Sequence, residues 1–188
     1  MKVQANTVRP GHVIEHEGKQ YTVLKHQIIT PGKGGAFVHL EMRDIKSGVK
    51  TNERYRTQDT VEKLNVDELE CTYLFTDGEQ LTLMDTSTYE QIVVPKELAG
   101  EAYAFLKDNM PVTVDTVEGK PVGLHLPATV VMEVVQADAV VKGQTASSSY
   151  KPAILENGVR VMVPPFIETG TRIVVNTEDL SYVERAKN

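Results

Sequence analysis

In 188 residues the sequence holds one cysteine and no tryptophan, and its aromatic share is only 6%. A lone thiol cannot form an internal disulfide, so Cys71 points to a reducing, cytoplasmic setting. Few aromatics leave little material for stacking platforms, which counts against a general single-stranded RNA binder. The longest apolar runs fall far short of the ~20 residues needed to span a bilayer. The opening stretch, MKVQANTVRPGHVIEHEGK, lacks the apolar core of a secretory signal. No Gly-x-Ser-x-Gly elbow or Cys-x-x-Cys pair occurs, and Gly32-Lys33-Gly34 lacks the upstream glycine and the hydroxyl residue of a phosphate-binding loop. No enzyme is expected.

Positive charge is also scarce overall, with 20 basic residues against 26 acidic and a net charge of −6. Its distribution is uneven. Residues 1–63 carry +4, residues 64–127 carry −9 and residues 128–188 carry −1, while His12, His16, His26 and His39 all lie in the first segment. A chain basic in its first third and acidic in its middle has a directed field, suited to oriented docking on a mixed surface.

What the sequence has in quantity is short β-branched segments, among them YTVLKHQII, AFVHLEM, LTLMD, PVTVDTV, TVVMEVVQ, VRVMV and RIVVN. Glycine turns such as HEGK, TDGE, VEGK and ENG separate them. The pattern predicts an all-β fold. One exception is Pro95–Asp108, where Leu98, Ala102 and Phe105/Leu106 recur at helical spacing behind Pro95; one short helix is expected there, weakened by Gly100. Charge reversal across Thr60–Glu70 and the break at Pro127 mark two seams. They divide the chain into segments 1–63, 64–127 and 128–188, each near the lower size for an independent domain and each suited to a small closed barrel.

Two constellations invite a chemical reading. His12-Val-Ile-Glu-His16 has the spacing of a zinc-peptidase motif. That spacing converges only on a helix; on a strand the two rings stand roughly 13 Å apart. The flanking Pro10-Gly11 and Glu17-Gly18 favour a short hairpin piece, so surface histidines are the expectation. Cys71 beside Asp67, Glu68 and Glu70 reads as a core residue with a raised pKa. The second constellation is Thr30-Pro31-Gly32-Lys33-Gly34-Gly35, enclosed by apolar strand residues, which places Lys33 at a hairpin apex. Glycines permit close approach of another surface, and a lysine on a long stem can reach a phosphate or accept a covalent extension; a merely solvated lysine is the alternative. Arg43, Lys46, Lys50, Arg54 and Arg56 near the following strands could bind phosphates or simply solvate a barrel.

The third segment narrows the choice. Lys151-Pro-Ala153, Gly158, the alternating aliphatics into Val163-Pro164, then Ile167 and Gly170 resemble the signature of the bacterial elongation factor P family at every fixed position. Tyr73-Leu-Phe with Asp77-Gly78, and Met84-Asp with Thr88-Tyr-Glu-Gln91, resemble its middle domain, and Pro31-Gly-Lys-Gly34 resembles its functional tip. The likeness spans essentially the whole chain. It implies an N-terminal SH3-like (KOW-type) barrel and two OB-fold barrels in an L-shaped, tRNA-like arrangement, acting as a monomer. It also implies binding to the ribosome between the peptidyl and exit tRNA sites, with stimulated peptide-bond formation and relief of stalling at consecutive prolines. The expected partners are rRNA, ribosomal proteins and the CCA end of peptidyl-tRNA. By the same resemblance Lys33 is the tip residue that a lysine-modifying enzyme can extend, for example with a β-lysyl group; no other cofactor is implied. Gly143, Thr145, Tyr182 and Arg185 match stretches linked to tRNA or small-subunit contact. Gly143-Gln-Thr145 departs from the usual Gly-Asp-Thr, which leaves codon contact by that loop open.

Overall fold

The computed structural model describes residues 1–139 and 149–187. The first sheet contains β1 (Lys2–Gln4), β2 (Val13–His16), β3 (Lys19–Ile29), β4 (Phe37–Asp44), β5 (Lys50–Arg56) and β6 (Thr60–Leu64), in the order β1-β6-β2-β3-β4-β5. The second contains β7 (Asp67–Asp77), β8 (Gln80–Asp85), β9 (Gln91–Pro95), β10 (Pro111–Val117) and β11 (Lys120–His125), in the order β11-β10-β7-β8-β9. The third contains β12 (Thr129–Ala137), β13 (Lys151–Leu155), β14 (Arg160–Val163), β15 (Arg172–Asn176) and β16 (Ser181–Arg185), in the order β14-β13-β12-β15-β16. The fold is thus all-β, with three sheets among the described residues. Among the described residues no helix is long and apolar enough to cross a membrane.

The two Glu-Gly-Lys turns show how locally this architecture is encoded. Glu17-Gly18 and Glu118-Gly119 each place two successive residues at positive φ, 51° and 77° in the first and 51° and 79° in the second. That is the two-residue turn whose twist matches the strands it joins. The seam at 60–70 proves to be strand on either side, with only Asn65 and Val66 between β6 and β7.

The chain divides into two compact units, Met1–Glu68 with Asp115–Val122 and Leu69–Val114 with Gly123–Asn188. In the first unit, Ile14, Val23, Val38, Leu40 and Met42 form a core with Ala5, Val8, Tyr21 and Val61. Edge strand β5 is tied back to β2 by Tyr55, whose hydroxyl lies 2.6 Å from His16 Nδ1. On its other side His16 Nε2 lies 3.5 Å from a Glu53 carboxylate oxygen. Burial, with the nearby Glu53 carboxylate, pushes Tyr55 up to about 12. Folding therefore favours the neutral phenol. The stability this gives is complete below the ordinary tyrosine value near 10 and is lost as pH rises towards 12. In an ultraviolet titration Tyr55 should be a late-ionising tyrosine, and Tyr55→Phe should delete that late step while the earlier ones persist.

In the second unit a helical segment lies where one is expected, but it is not a single α-helix. Residues 96–105 form 3₁₀ turns broken at Gly100, which sits at φ 58° and ψ −144°. A continuous α-helix cannot pass through that conformation, which is essentially restricted to glycine. The periodicity is real, but it serves two cores. Leu98, Tyr103 and Leu106 pack against the second sheet's cluster of Cys71, Tyr73, Leu81, Leu83 and Val94. Phe105 is fully buried in the third sheet's cluster, among Met132, Val134, Leu155, Val163 and Ile173. Asn157 Nδ2 donates to the Ala104 carbonyl at 2.9 Å beside it.

Candidate nucleic-acid interface

Strands β3 and β4 form a long hairpin, in register from Tyr21↔Asp44 to Ile29↔Phe37 with one bulge between Val23 and Lys25. Strict alternation in β4 buries Val38, Leu40, Met42 and Asp44 and turns Phe37, His39, Glu41 and Arg43 outward. Near its end the hairpin runs beyond its own core, for Ile28 is 49% exposed and Ile29 37%. Lys33 stands exposed in the loop that follows. Among the described residues its ammonium has no ion-pair partner. Gly34 adopts φ 105°, which explains a glycine there on backbone grounds. Gly32 has no such constraint, and a Cβ added to it would meet nothing within 4 Å. The open space there leaves room for a surface other than the protein's own. Pro31 and Gly35 complete the loop, Pro31 half-buried and Gly35 exposed.

The register assembles the basic residues beside this tip. Phe37 pairs with Ile29 and Arg56, His39 with Gln27 and Arg54, Glu41 with Lys25 and Asn52, and Arg43 with Thr22 and Lys50. Paired residues point to the same side of a sheet, so these four rows form one outward face. Same-face rows repeat every ~6.7 Å along a strand, so the face is roughly 20 Å long. The Arg54 guanidinium lies 5.4 Å from the Phe37 ring centroid, holding a cation against an aromatic plane. Arg43 Nε is shielded and has no hydrogen-bond partner among the described residues. Four of the expected cations, Arg43, Lys50, Arg54 and Arg56, therefore share a surface continuous with the Lys33 loop.

Lys46 belongs instead to the turn at the far end of the hairpin. Its backbone N–H donates to Asp44 Oδ1 at 2.8 Å, and the Ser47 N–H donates to the same oxygen. These hydrogen bonds, that of Lys46 foremost, hold the Asp44 carboxyl below the usual range although burial opposes them. Tyr182 and Arg185 lie on β16 of the other unit; Arg185 sits 5.5 Å from the Phe166 ring, and Tyr182 meets Tyr150 edge-on at 6.3 Å. Gly143 and Thr145 lie outside the described residues.

The face also includes Lys25, His39 and Phe37, which the sequence reading does not assign to it. Alternation along AFVHLEM could have found His39 and Phe37, whereas Lys25 is placed by the bulge at Val23, which shifts the pairing by one residue. The two histidines of the zinc-like motif have other roles. His12 Nδ1 accepts the Arg9 N–H at 3.0 Å, and desolvation, with Lys63 and Arg9 nearby, holds its pKa low. His16 engages Tyr55. Among the described residues no group of three or more His, Cys, Asp or Glu could hold a metal ion.

Comparison with known sequences gives this arrangement a family. Profiles described as the Elongation factor P (EF-P) KOW-like domain, the Elongation factor P (EF-P) OB domain and Elongation factor P, C-terminal match residues 4–61, 66–124 and 130–185. The chain belongs to the elongation factor P family. Relatives named Elongation factor P from Acidiphilium cryptum and Granulibacter bethesdensis are each 68% identical over 100% of both chains, and one from Rhodospirillum rubrum is 62% identical over 100% of both. A solved structure titled Eukaryotic translation initiation factor 5A from Methanococcus jannaschii covers 68% of this chain and 92% of its own, with 23% identity and a TM-score of 0.46. By family the chain is a translation factor, not an enzyme; its first sheet falls in the KOW-like domain, its second in the OB domain and its third in the C-terminal domain.

Proposed function

We propose that this family member binds the ribosome between the peptidyl and exit tRNA sites and presents Lys33 to the CCA end of peptidyl-tRNA. Peptide-bond formation is thereby favoured and stalling at consecutive prolines relieved. The observation that carries this reading is an exposed cation at the apex of a hairpin that outruns its own core, continuous with a face carrying Arg43, Lys50, Arg54 and Arg56. The face supplies charge for tRNA or rRNA phosphates, which fix position without reading sequence. Proline reacts slowly because its ring restricts the backbone, and such a step can be accelerated by holding the reactants in an attacking geometry, with no acid or base added. A covalent lysine extension, for example β-lysyl attached by a modifying enzyme, would lengthen the reach of the Lys33 amine. The glycine-flanked loop leaves it room.

Cross-linking tests the placement. Cys71 is buried, and burial together with Asp85 and Glu70 raises its thiol pKa, so it does not compete for thiol reagents. A Lys33→Cys variant can therefore carry a photo-reactive group at position 33 alone. On ribosomes stalled at three prolines, adducts are expected on the 3′-terminal nucleotides of peptidyl-tRNA. Adducts confined to the small subunit would contradict the proposal.

A further inference from the structure

The basic face holds one negative charge, and its position is informative. Glu41 occupies the third of the four rows, with His39 and Arg43 on either side along its own strand. One of its carboxylate oxygens lies 3.8 Å from Lys25 Nζ on β3, and the other lies 4.0 Å from Lys50 Nζ on β5. The carboxylate is only 25% exposed, whereas the two lysines are 78% and 57% exposed. Such loose, solvent-facing pairs add little to stability. What they change is the field. Lys25 and Lys50 are partly neutralised, and the remaining cations fall into two groups: Arg54 and Arg56 towards the tip, and Arg43 towards the far turn.

We infer that Glu41 is a specificity-determining residue that restrains this face from adsorbing RNA indiscriminately. A regular phosphate backbone laid along the strands must pass over a carboxylate, which repels it and holds two cations that would otherwise release counterions. A surface that places phosphates only over the two cation groups avoids that penalty. Glu41 thus weakens binding to generic RNA while leaving Arg43, Arg54 and Arg56 available to a partner of matching shape. This inference rests on the basic face being a phosphate-binding surface, and its test separates the two ideas.

The probe is a fluorescently labelled 20-base-pair RNA duplex of arbitrary sequence, titrated with the full chain by anisotropy at several salt concentrations. Glu41→Gln should bind it about 3- to 10-fold more tightly near 0.1 M salt, with the slope of log affinity against log salt steeper by about one. The Arg54→Ala/Arg56→Ala double variant should bind more weakly than the unaltered chain. If the double variant weakens binding and Glu41→Gln leaves it unchanged or lowers it, the role of Glu41 is overturned and the phosphate-binding face stands. If neither variant alters binding or its salt slope, both ideas fail. Circular dichroism of each variant establishes that the fold is retained.

Discussion

Replacing Phe105 with alanine should cost about 3–5 kcal/mol of stability, the range for emptying a site of this size in a core. The unusual feature is where the loss should be felt. Phe105 belongs to the segment between β9 and β10, strands of the second sheet, yet its ring is buried among Met132, Val134, Leu155 and Ile173 of the third. Leu126 packs against both clusters, and Asn157 anchors the Ala104 carbonyl beside the ring. The two cores of this unit should therefore unfold together, with Phe105 as the shared element. Hydrogen exchange read by mass spectrometry should show the Phe105→Ala variant losing protection in β12 and β15. Phe105→Leu, which keeps most of the apolar volume, should cost less. Loss of protection confined to β7 and β8 would mean that the ring is not the coupling element.

How much of this is legible in the sequence depends on whether the signal is local. The turns at Glu17-Gly18 and Glu118-Gly119 are local, because positive φ at both positions is a property of the dipeptide and its hairpin. The alternation of β4 is local as well, and with the matching alternation of β5 it suffices to place Arg54, Arg56 and Lys50 on one side. Segment 95–108 misleads because apolar residues recurring every three to four positions are the mark of one helix facing one core. Here a glycine in a conformation closed to other residues splits the segment, and Phe105 turns to a different core. No local pattern encodes that choice, since the partners of Phe105 named above come from strands of another sheet. Lys25 is hidden for a similar reason: whether it joins the face depends on the bulge at Val23, which belongs to the pairing with β4. Within the site, the tip is the most legible part. A lysine among glycines between two apolar strands already implies an exposed apex, and the register then shows what lies beside it.

Removing the Lys33 amine should have the largest functional effect. Lys33→Ala deletes a side chain that is exposed and, among the described residues, has no ion-pair partner, so stability should change by less than about 0.5 kcal/mol. If the amine holds the peptidyl-tRNA end in a reactive geometry, its loss should slow the assisted step by about 10- to 100-fold, the scale on which a misplacement near 1 Å acts. Lys33→Arg separates charge from extension. The guanidinium keeps the positive charge but presents a planar fork in place of a compact amine and offers no lysine amine for modification. A factor that works through charge alone should keep most of its effect in the Lys33→Arg variant, and one that needs the extended amine should lose it.

Delivery of the Lys33 amine to the reacting end of the tRNA is tested most directly by the rate of peptide-bond formation at the third codon of a Pro-Pro-Pro message. The measurement is made by quench-flow in a purified translation system, with no factor, the unaltered chain or Lys33→Ala. The expected result is that the unaltered chain raises the rate, while Lys33→Ala, folded and bound to the ribosome, leaves it close to the value without factor. Equal acceleration by the two proteins would contradict the account.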